Sequence, residues 1–284
     1  MSAATVQLAS QSELELQATG RRARSRRAAF VWLGRLLVVV VVIGGWQWFT
    51  SVGWVDKFFY GQPTAIWDSL VTLFTQGTAF GPIWEQIGVT VQEAVLGFLL
   101  GTVVGIVFGI LLGSNRYLSD VLNPYIKVLN SIPRIVLGSI FIMWLGLGWP
   151  SKVLLAAVLV FFVVFFNAFQ GVRSVDRNLV ANARILGASN RRVTLQVVIP
   201  SATSWIFTSL HVSFGFALIG AIVGEYLGAT KGIGLLISQS QGTFNTAGVY
   251  AAMVILAVVA LGAEGLLTFA ERRIFRWKPT GSDS

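Results

Sequence analysis

The sequence contains no cysteine and a single histidine, His211. Disulfides and thiolate-bound metals are therefore excluded, and one imidazole cannot assemble a zinc site, which takes four ligands. Charge is scarce as well. Only 12% of the 284 residues are Asp, Glu, Lys or Arg, about half the share found in a soluble domain. The Gly-x-x-x-x-Gly-Lys-Ser/Thr pattern, whose backbone amides cradle phosphates, does not occur. Short segments with period-two alternation are missing, which argues against a β-barrel. No paired carboxylates, Ser–His arrangement or ligand cluster suggests catalysis, and no cofactor is implied.

What the chain has instead is long apolar runs. Hydrophobic residues make up 55% of it, concentrated at residues 28–49, 91–113, 132–148, 153–170, 203–226 and 249–270. A helix needs about 20 mostly apolar residues to cross the roughly 30 Å hydrocarbon core. The expected fold class is therefore an all-α polytopic membrane protein with six transmembrane helices. In the third segment, Pro133 and Arg134 stand at the entrance. Its helix is expected to begin earlier, near Pro124, with only the later part in lipid. The first segment is too long for a signal peptide and lacks a small-x-small cleavage site, so it reads as a retained helix.

The net charge of +9 points to the membrane rather than to nucleic acid, because of where the charge sits. Arg21, Arg22, Arg24, Arg26 and Arg27 precede the first run, and Arg272, Arg273, Arg276 and Lys278 follow the last. Basic clusters flanking spans mark the cytoplasmic side. Residues 50–90 carry only Lys57 among basic residues, and residues 227–248 only Lys231, so both belong outside, as does the connection near Lys152. Arg116 marks an inner turn. The segment 171–200 carries Arg173, Arg177, Arg184, Arg191 and Arg192 and belongs inside. Every connection agrees with both termini inside. The organisation read from this is a basic tail at 1–27, with residues 1–20 disordered, a transmembrane domain at 28–278 with a cytoplasmic loop at 171–200, and a tail at 279–284.

Four local patterns stand out. Trp46, Trp48, Trp54, Phe58, Phe59 and Tyr60 gather where the first helix leaves the bilayer, as an aromatic belt does. In GQPTAIWDSLVTLFTQG, Ile66, Leu70 and Phe74 share a helical face with Thr64 as the cap, the pattern of an interfacial helix. Glycines at 97, 101, 105, 109 and 113 recur every four residues, which suits close helix packing or the lining of a pathway. The fifth run carries Ser204, Thr208, His211, Gly215, Ile222 and Glu225 at steps of three or four. Of these, Thr208, His211 and Glu225 are candidates to line a solute path. For His211 the alternative is a satisfied buried hydrogen bond, and for Glu225 a structural partner such as a neighbouring helix end. Glu85 and Glu93 read as solvated residues on the outer side.

The segment 171–200 is longer than a reversal requires, and long ordered loops are usually functional. Residues 178–186 favour a helix, Gly187 stops it, and Pro200 favours an extended residue before it and can open the next helix. On these grounds a solvated connector and a functional helix remain equally open.

Residues 181–200, ANARILGASNRRVTLQVVIP, resemble the EAA loop of bacterial importer permeases. That pattern is E-A-A, three residues, G, nine residues, then I-x-L-P. Ala183 matches its last alanine and Gly187 its glycine, and residues 197–200 stand for I-x-L-P. Ala181 and Asn182 depart from the glutamate and the first alanine. The branch for nitrate, sulfonate and taurine often reads AR-x-LGAS here, and this chain reads ARILGAS. AVLGFLLGTVVGIVFGILLG, NSIPRIVLGSIFIMWLGLG, SKVLLAAVLVFFVVFFNAFQGV and IGAIVGEYLGATKGIGLLI also look like that branch, so the similarity covers about residues 60–278.

The resemblance implies a type I permease fold in the bacterial inner membrane. It implies a transport subunit without ATPase activity, paired with a second, identical copy and two cytoplasmic ATPase subunits. An external or periplasmic binding protein would deliver a small anion such as a sulfonate, taurine or nitrate, or a related solute. It places the ATPase contact at Ala183, Arg184, Gly187, Ala188, Ser189 and Pro200. Two other classes compete. A secondary transporter or channel would show inverted repeats, and a polytopic enzyme would show convergent ionisable groups in its spans.

Overall fold

The computed structural model describes residues 30–274. The tails at 1–27 and 279–284, the disorder expected of residues 1–20 and the basic residues at 21–27 and 276–278 lie outside the described residues. Contacts divide the chain into two compact units, with a boundary between Ile66 and Trp67.

In the first unit, α1 (Phe30–Ser51) is an apolar helix of 22 residues, about 33 Å long and enough to span. The aromatic residues cluster at its end: the Trp48 and Phe49 rings both meet Trp54, with centroids 5.9 and 5.6 Å away. A short helix, α2 (Lys57–Tyr60), is capped by Asp56, which accepts from the Phe58 amide at 2.9 Å. Next comes α3 (Pro63–Thr75), whose residues from Trp67 onward belong to the second unit. Thr64 is not its cap. Pro63, whose fixed φ and missing N–H suit the first helical position, puts Thr64 inside the first turn, where its amide donates to Gln47 Oε1 at 3.2 Å. The expected apolar face is present. Ile66 is buried, Leu70 packs against a core cluster, and the Phe74 ring meets Trp84 edge to face at 5.1 Å.

The second unit is built around α7 (Trp149–Arg173), with α4 (Ile83–Ser114) and α10 (Ile199–Leu227) packed on it. Phe98 of α4, Val160 and Val164 of α7, and Phe214 and Ala217 of α10 form one buried cluster. Lipid is as apolar as these side chains, so close packing must supply much of the association energy. The five-glycine ladder provides it, and packing is the reading the structure supports. A Cβ on Gly105 would lie 3.0 Å from Val164 Cβ and 3.1 Å from the Phe161 carbonyl, and one on Gly109 would lie 2.6 Å from Ala168 Cβ. Gly101 faces the Ala157 carbonyl and Val160, whose Cβ would lie 2.8 Å away. We therefore expect Gly101→Val to force α4 off α7 and to destabilise the fold by about 1–3 kcal/mol. Gly215→Val, with nothing within 4 Å, should leave folded yield unchanged. Thermal unfolding of the two purified variants compares them, and equal stability would refute this packing role.

The described residues contain five uninterrupted helices long and apolar enough to span, and a sixth crossing if one bent pair counts as a single span. That pair is α5 (Arg116–Ser131) and α6 (Arg134–Leu145), bent by 87°. The third span is thus not a continuous helix from near Pro124. Pro124 lies inside α5, and the break falls at Pro133, where the residue before proline is pushed out of helical geometry. Indeed Ile132 is extended, at φ −69° and ψ 129°.

After α7 come α8 (Arg177–Ile185), α9 (Asn190–Val193) and a π-helical turn (Thr194–Val198) that runs directly into α10. Pro200 does not follow an extended residue, because Ile199 is helical at φ −62° and ψ −49°. Proline inside a helix clashes with the carbonyl four residues back. The π turn supplies the slack, and the Ile199 amide reaches the Thr194 carbonyl. The segment 227–248 is not merely a loop. It contains α11 (Ile233–Gly242), whose Ile233, Leu236 and Ile237 pack with Ile83 of α4 and with Ala252 and Ile255 of α12 (Thr246–Ile274).

Candidate functional site

Three groups of polar or exposed residues lie along this bundle. The first is α8, which sits outside the spans. Asp176 caps its start, accepting from the Asn178 amide at 2.8 Å. At its end Gly187 takes φ +81°. Its amide donates to the Arg184 carbonyl at 2.9 Å, and the Ala188 amide reaches back to the Ala183 carbonyl at 3.0 Å. These two bonds form a Schellman stop, which requires a left-handed residue at the glycine position. The segment from Ala183 to Ala188 is therefore one structural unit. Ser189 follows it, and its carbonyl accepts from Val193 as α9 begins. Arg184, Gly187 and Ser189 are exposed, Ala183 and Ala188 half-buried. Next to them Leu179, Ile185 and Leu186 are exposed, the last two by 82% and 87%. Pro200 lies apart, in the first turn of α10.

The polar stripe on α10 divides in two. Ser204, Thr208 and Gly215 are exposed and His211 partly so. Thr208 Oγ1 donates to the Ser204 carbonyl at 2.9 Å, while His211 Nδ1 lies 2.8 Å from Glu264 Oε1 on α12. Glu264 is a partner that the sequence pattern of α10 does not reveal. It is the one acid in the apolar run 249–270, and that isolation is the signal that singles it out.

Glu225 lies further along the same stripe, fully buried. Its carboxylate accepts from Thr90 Oγ1 at 2.7 Å and from the Gly234 amide at 2.6 Å. The Gly232 amide donates to Gln86 Oε1 at 2.8 Å, and the Ile233 amide to Thr90 Oγ1 at 2.9 Å. The first amides of a helix have no partner within it. Here those of α11 are satisfied by side chains of α4 and α10. Glu225 thus has a structural partner of the kind its sequence position allows, a neighbouring helix end.

Two charges around this cluster differ from expectation. Glu93 is not solvated. It is 3% exposed, because a helix starting at Ile83 turns it inward, and its carboxyl meets that of Glu225. Lys152 is fully buried. Since α7 begins at Trp149, this lysine lies in its first turn, donating to the Leu147 carbonyl at 2.7 Å and acting electrostatically on both glutamates. Glu85 is exposed as expected and pairs with Lys231.

Residues 101–276 match the family described as binding-protein-dependent transport system inner membrane component. A relative named for aliphatic sulfonates transport, a permease protein of Bacillus subtilis (strain 168), is 30% identical over 90% of this chain and 92% of its own length. The riboflavin transport system permease protein of Chloroflexus aurantiacus is also 30% identical, over 94% of this chain and 99% of its own. Among solved structures, an inward-facing methionine ABC transporter, MetNI, superposes with a TM-score of 0.59 at 19% identity, covering 68% of this chain and 94% of that one.

Proposed function

Because the chain belongs to the binding-protein-dependent inner-membrane transport components, a multi-pass family of the bacterial inner membrane, we propose that it forms the translocation pathway of an importer for small sulfonate-like anions. It does so as one of two identical permeases and takes its energy from separate ATPase subunits. The observation that carries the coupling half of this reading is α8. It is capped at both ends, lies outside the spans, and exposes Ile185 and Leu186. Exposed apolar side chains on a helix outside the spans mark a contact with another protein. Ala183, Arg184, Gly187, Ala188 and Ser189 form or flank its closing turn and lie at the ATPase contact. Pro200 acts at one remove by setting the joint between this loop and α10.

With both termini inside, α8 faces the cytoplasm and the Glu225 cluster lies at the outer end. Thr208 and His211 are exposed along α10 and remain candidates for the path, whereas Glu225 holds α11 in place. The relatives' names span two solute chemistries, a sulfonate anion and the neutral riboflavin, so identity alone does not choose between them. The test is reconstitution in liposomes with the cognate ATPase and binding protein. ATP-dependent accumulation of radiolabelled ethanesulfonate is expected, with no ATP hydrolysis by the permease alone. Hydrolysis by the isolated chain would overturn the subunit assignment, and failure to take up any sulfonate would overturn the solute class.

A further inference from the structure

The break between α5 and α6 places a full positive charge near mid-membrane. The Arg134 guanidinium lies 4.7 Å from the ring centre of Phe162. In α7, Phe162 is thirteen residues from Trp149 and eleven from Arg173, roughly 20 and 17 Å along the helix. Arg134 also donates to Asn130 Oδ1, and among the described residues no carboxylate pairs with it. A charge at such depth is costly and is found facing water or a partner. The nearest membrane edge is too far for the side chain to reach by snorkelling.

The surroundings are polar on one side. Asp120, Asn123, Lys127 and Asn130 recur along α5 at steps of three or four, and all are exposed. This lane begins at the inner end of the bundle, where Arg173 Nη2 donates to Ser119 Oγ at 3.0 Å. Eleven residues separate Ser119 from Asn130, as eleven separate Phe162 from Arg173. The lane runs about 17 Å along α5, from the Arg173 contact to the residue that holds Arg134. A stripe of exposed polar side chains against lipid would leave them unsolvated, whereas against water it costs nothing.

We propose that Arg134, with the polar lane of α5 leading to it, is an anion-contacting site in the solute path, taking a sulfonate or a similar oxyanion at mid-membrane. A planar guanidinium held by a ring face and an amide still presents N–H donors to an oxyanion. This rests on the proposed transport function and adds a residue that separates an anion from a neutral solute.

The absence of cysteine makes the test direct. Ile135→Cys, beside Arg134 and 58% exposed, is introduced into the full complex in liposomes. It is titrated with the anionic 2-sulfonatoethyl and the cationic 2-trimethylammonioethyl methanethiosulfonates. Reaction with the anionic reagent is expected to be favoured. The anion-to-cation rate ratio should fall by at least about tenfold when Arg134→Gln is added and be kept by Arg134→Lys, with ethanesulfonate slowing the anionic reagent. No reaction from the aqueous phase, or a ratio indifferent to Arg134→Gln in an assembled complex, would overturn the site. If the ratio depends on Arg134 but the unmodified complex takes up no sulfonate, the anion site stands and the sulfonate reading falls. If sulfonate is taken up and the ratio is indifferent, the solute class stands and the Arg134 site falls.

Discussion

Replacing Gly187 by leucine is expected to abolish ATP-driven uptake while the spans remain inserted. The residue sits at φ +81°, and an added Cβ there meets nothing within 4 Å. Crowding within the chain is therefore not the mechanism. A left-handed conformation costs an L-residue with a Cβ about 1–2 kcal/mol, and the two closing bonds of α8, from Gly187 and Ala188, exist only in that conformation. Leucine either strains the turn or lets the helix run on, and in both cases Ile185 and Leu186 are re-aimed. The same substitution places a bulky side chain on the surface assigned to the ATPase. A combined loss of about 3 kcal/mol at that contact weakens association more than a hundredfold. Asparagine tolerates the left-handed region, so Gly187→Asn should retain most coupling. Co-purification with the ATPase, and uptake in liposomes, compare the three proteins. Normal assembly and uptake by Gly187→Leu would remove residues 178–190 from the coupling role.

A comparable loss, by a different route, is expected from Glu225→Ala. The carboxylate joins three helices, through Thr90 on α4, its own position on α10 and the Gly234 amide at the start of α11. Alanine leaves the Gly234 amide buried without an acceptor. The Thr90 hydroxyl, which still accepts from the Ile233 amide, can then donate to the Gln86 carbonyl, 3.1 Å away. An orphaned buried donor costs about 1–3 kcal/mol, and the cavity adds to it. We expect destabilisation of about 3 kcal/mol in total, with α11 loosened first. Hydrogen exchange at the Gly232, Ile233 and Gly234 amides should accelerate in the variant. Thr90→Val should expose a different amide, since it leaves the carboxylate bonded to Gly234 but removes the acceptor of the Ile233 amide. Unchanged protection of those three amides would show that Glu225 does not secure α11.

The main lines of this molecule are legible in its sequence because membrane constraints are strict. A run such as 249–270 has few alternatives to a spanning helix, and glycines every four residues have few uses other than close packing. The stop at Gly187 is readable for a similar reason, since few residues adopt the backbone it needs. Reading by charge fails where charges are buried. Lysine and glutamate usually mark connections, and by that rule Lys152 and Glu93 fall outside the spans. Lys152 belongs instead to a helix that begins one turn before its apolar window, at Trp149, and Glu93, at the edge of the window 91–113, is carried inward by a helix that starts two turns earlier, at Ile83. Proline misleads in one direction only. Pro133 breaks a span that hydropathy alone would join, while Pro200 is accommodated by a π turn that local pattern does not announce. Pairings between distant residues, such as His211 with Glu264 or Glu225 with Gly234, depend on the fold, and the sequence leaves them as open alternatives.

The unbroken course from α9 through the π turn into α10 has a mechanical consequence. Residues 191–227 form one helical segment of 37 residues, about 55 Å from end to end, longer than the hydrocarbon core is thick. One end adjoins the closing turn of α8, and the other is fastened to α11 by Glu225. Such a rod acts as a lever with its pivot inside the bundle, where Gly220 lies against the Ala156 backbone. Because that pivot is near the Glu225 end, the arms are unequal. A tilt of about 5° would displace the α8 end by roughly 4 Å and the Glu225 end by less than about 1 Å. With α8 as the proposed ATPase contact, the end beside it would make the large strokes and the end beside Glu225 small, forceful ones.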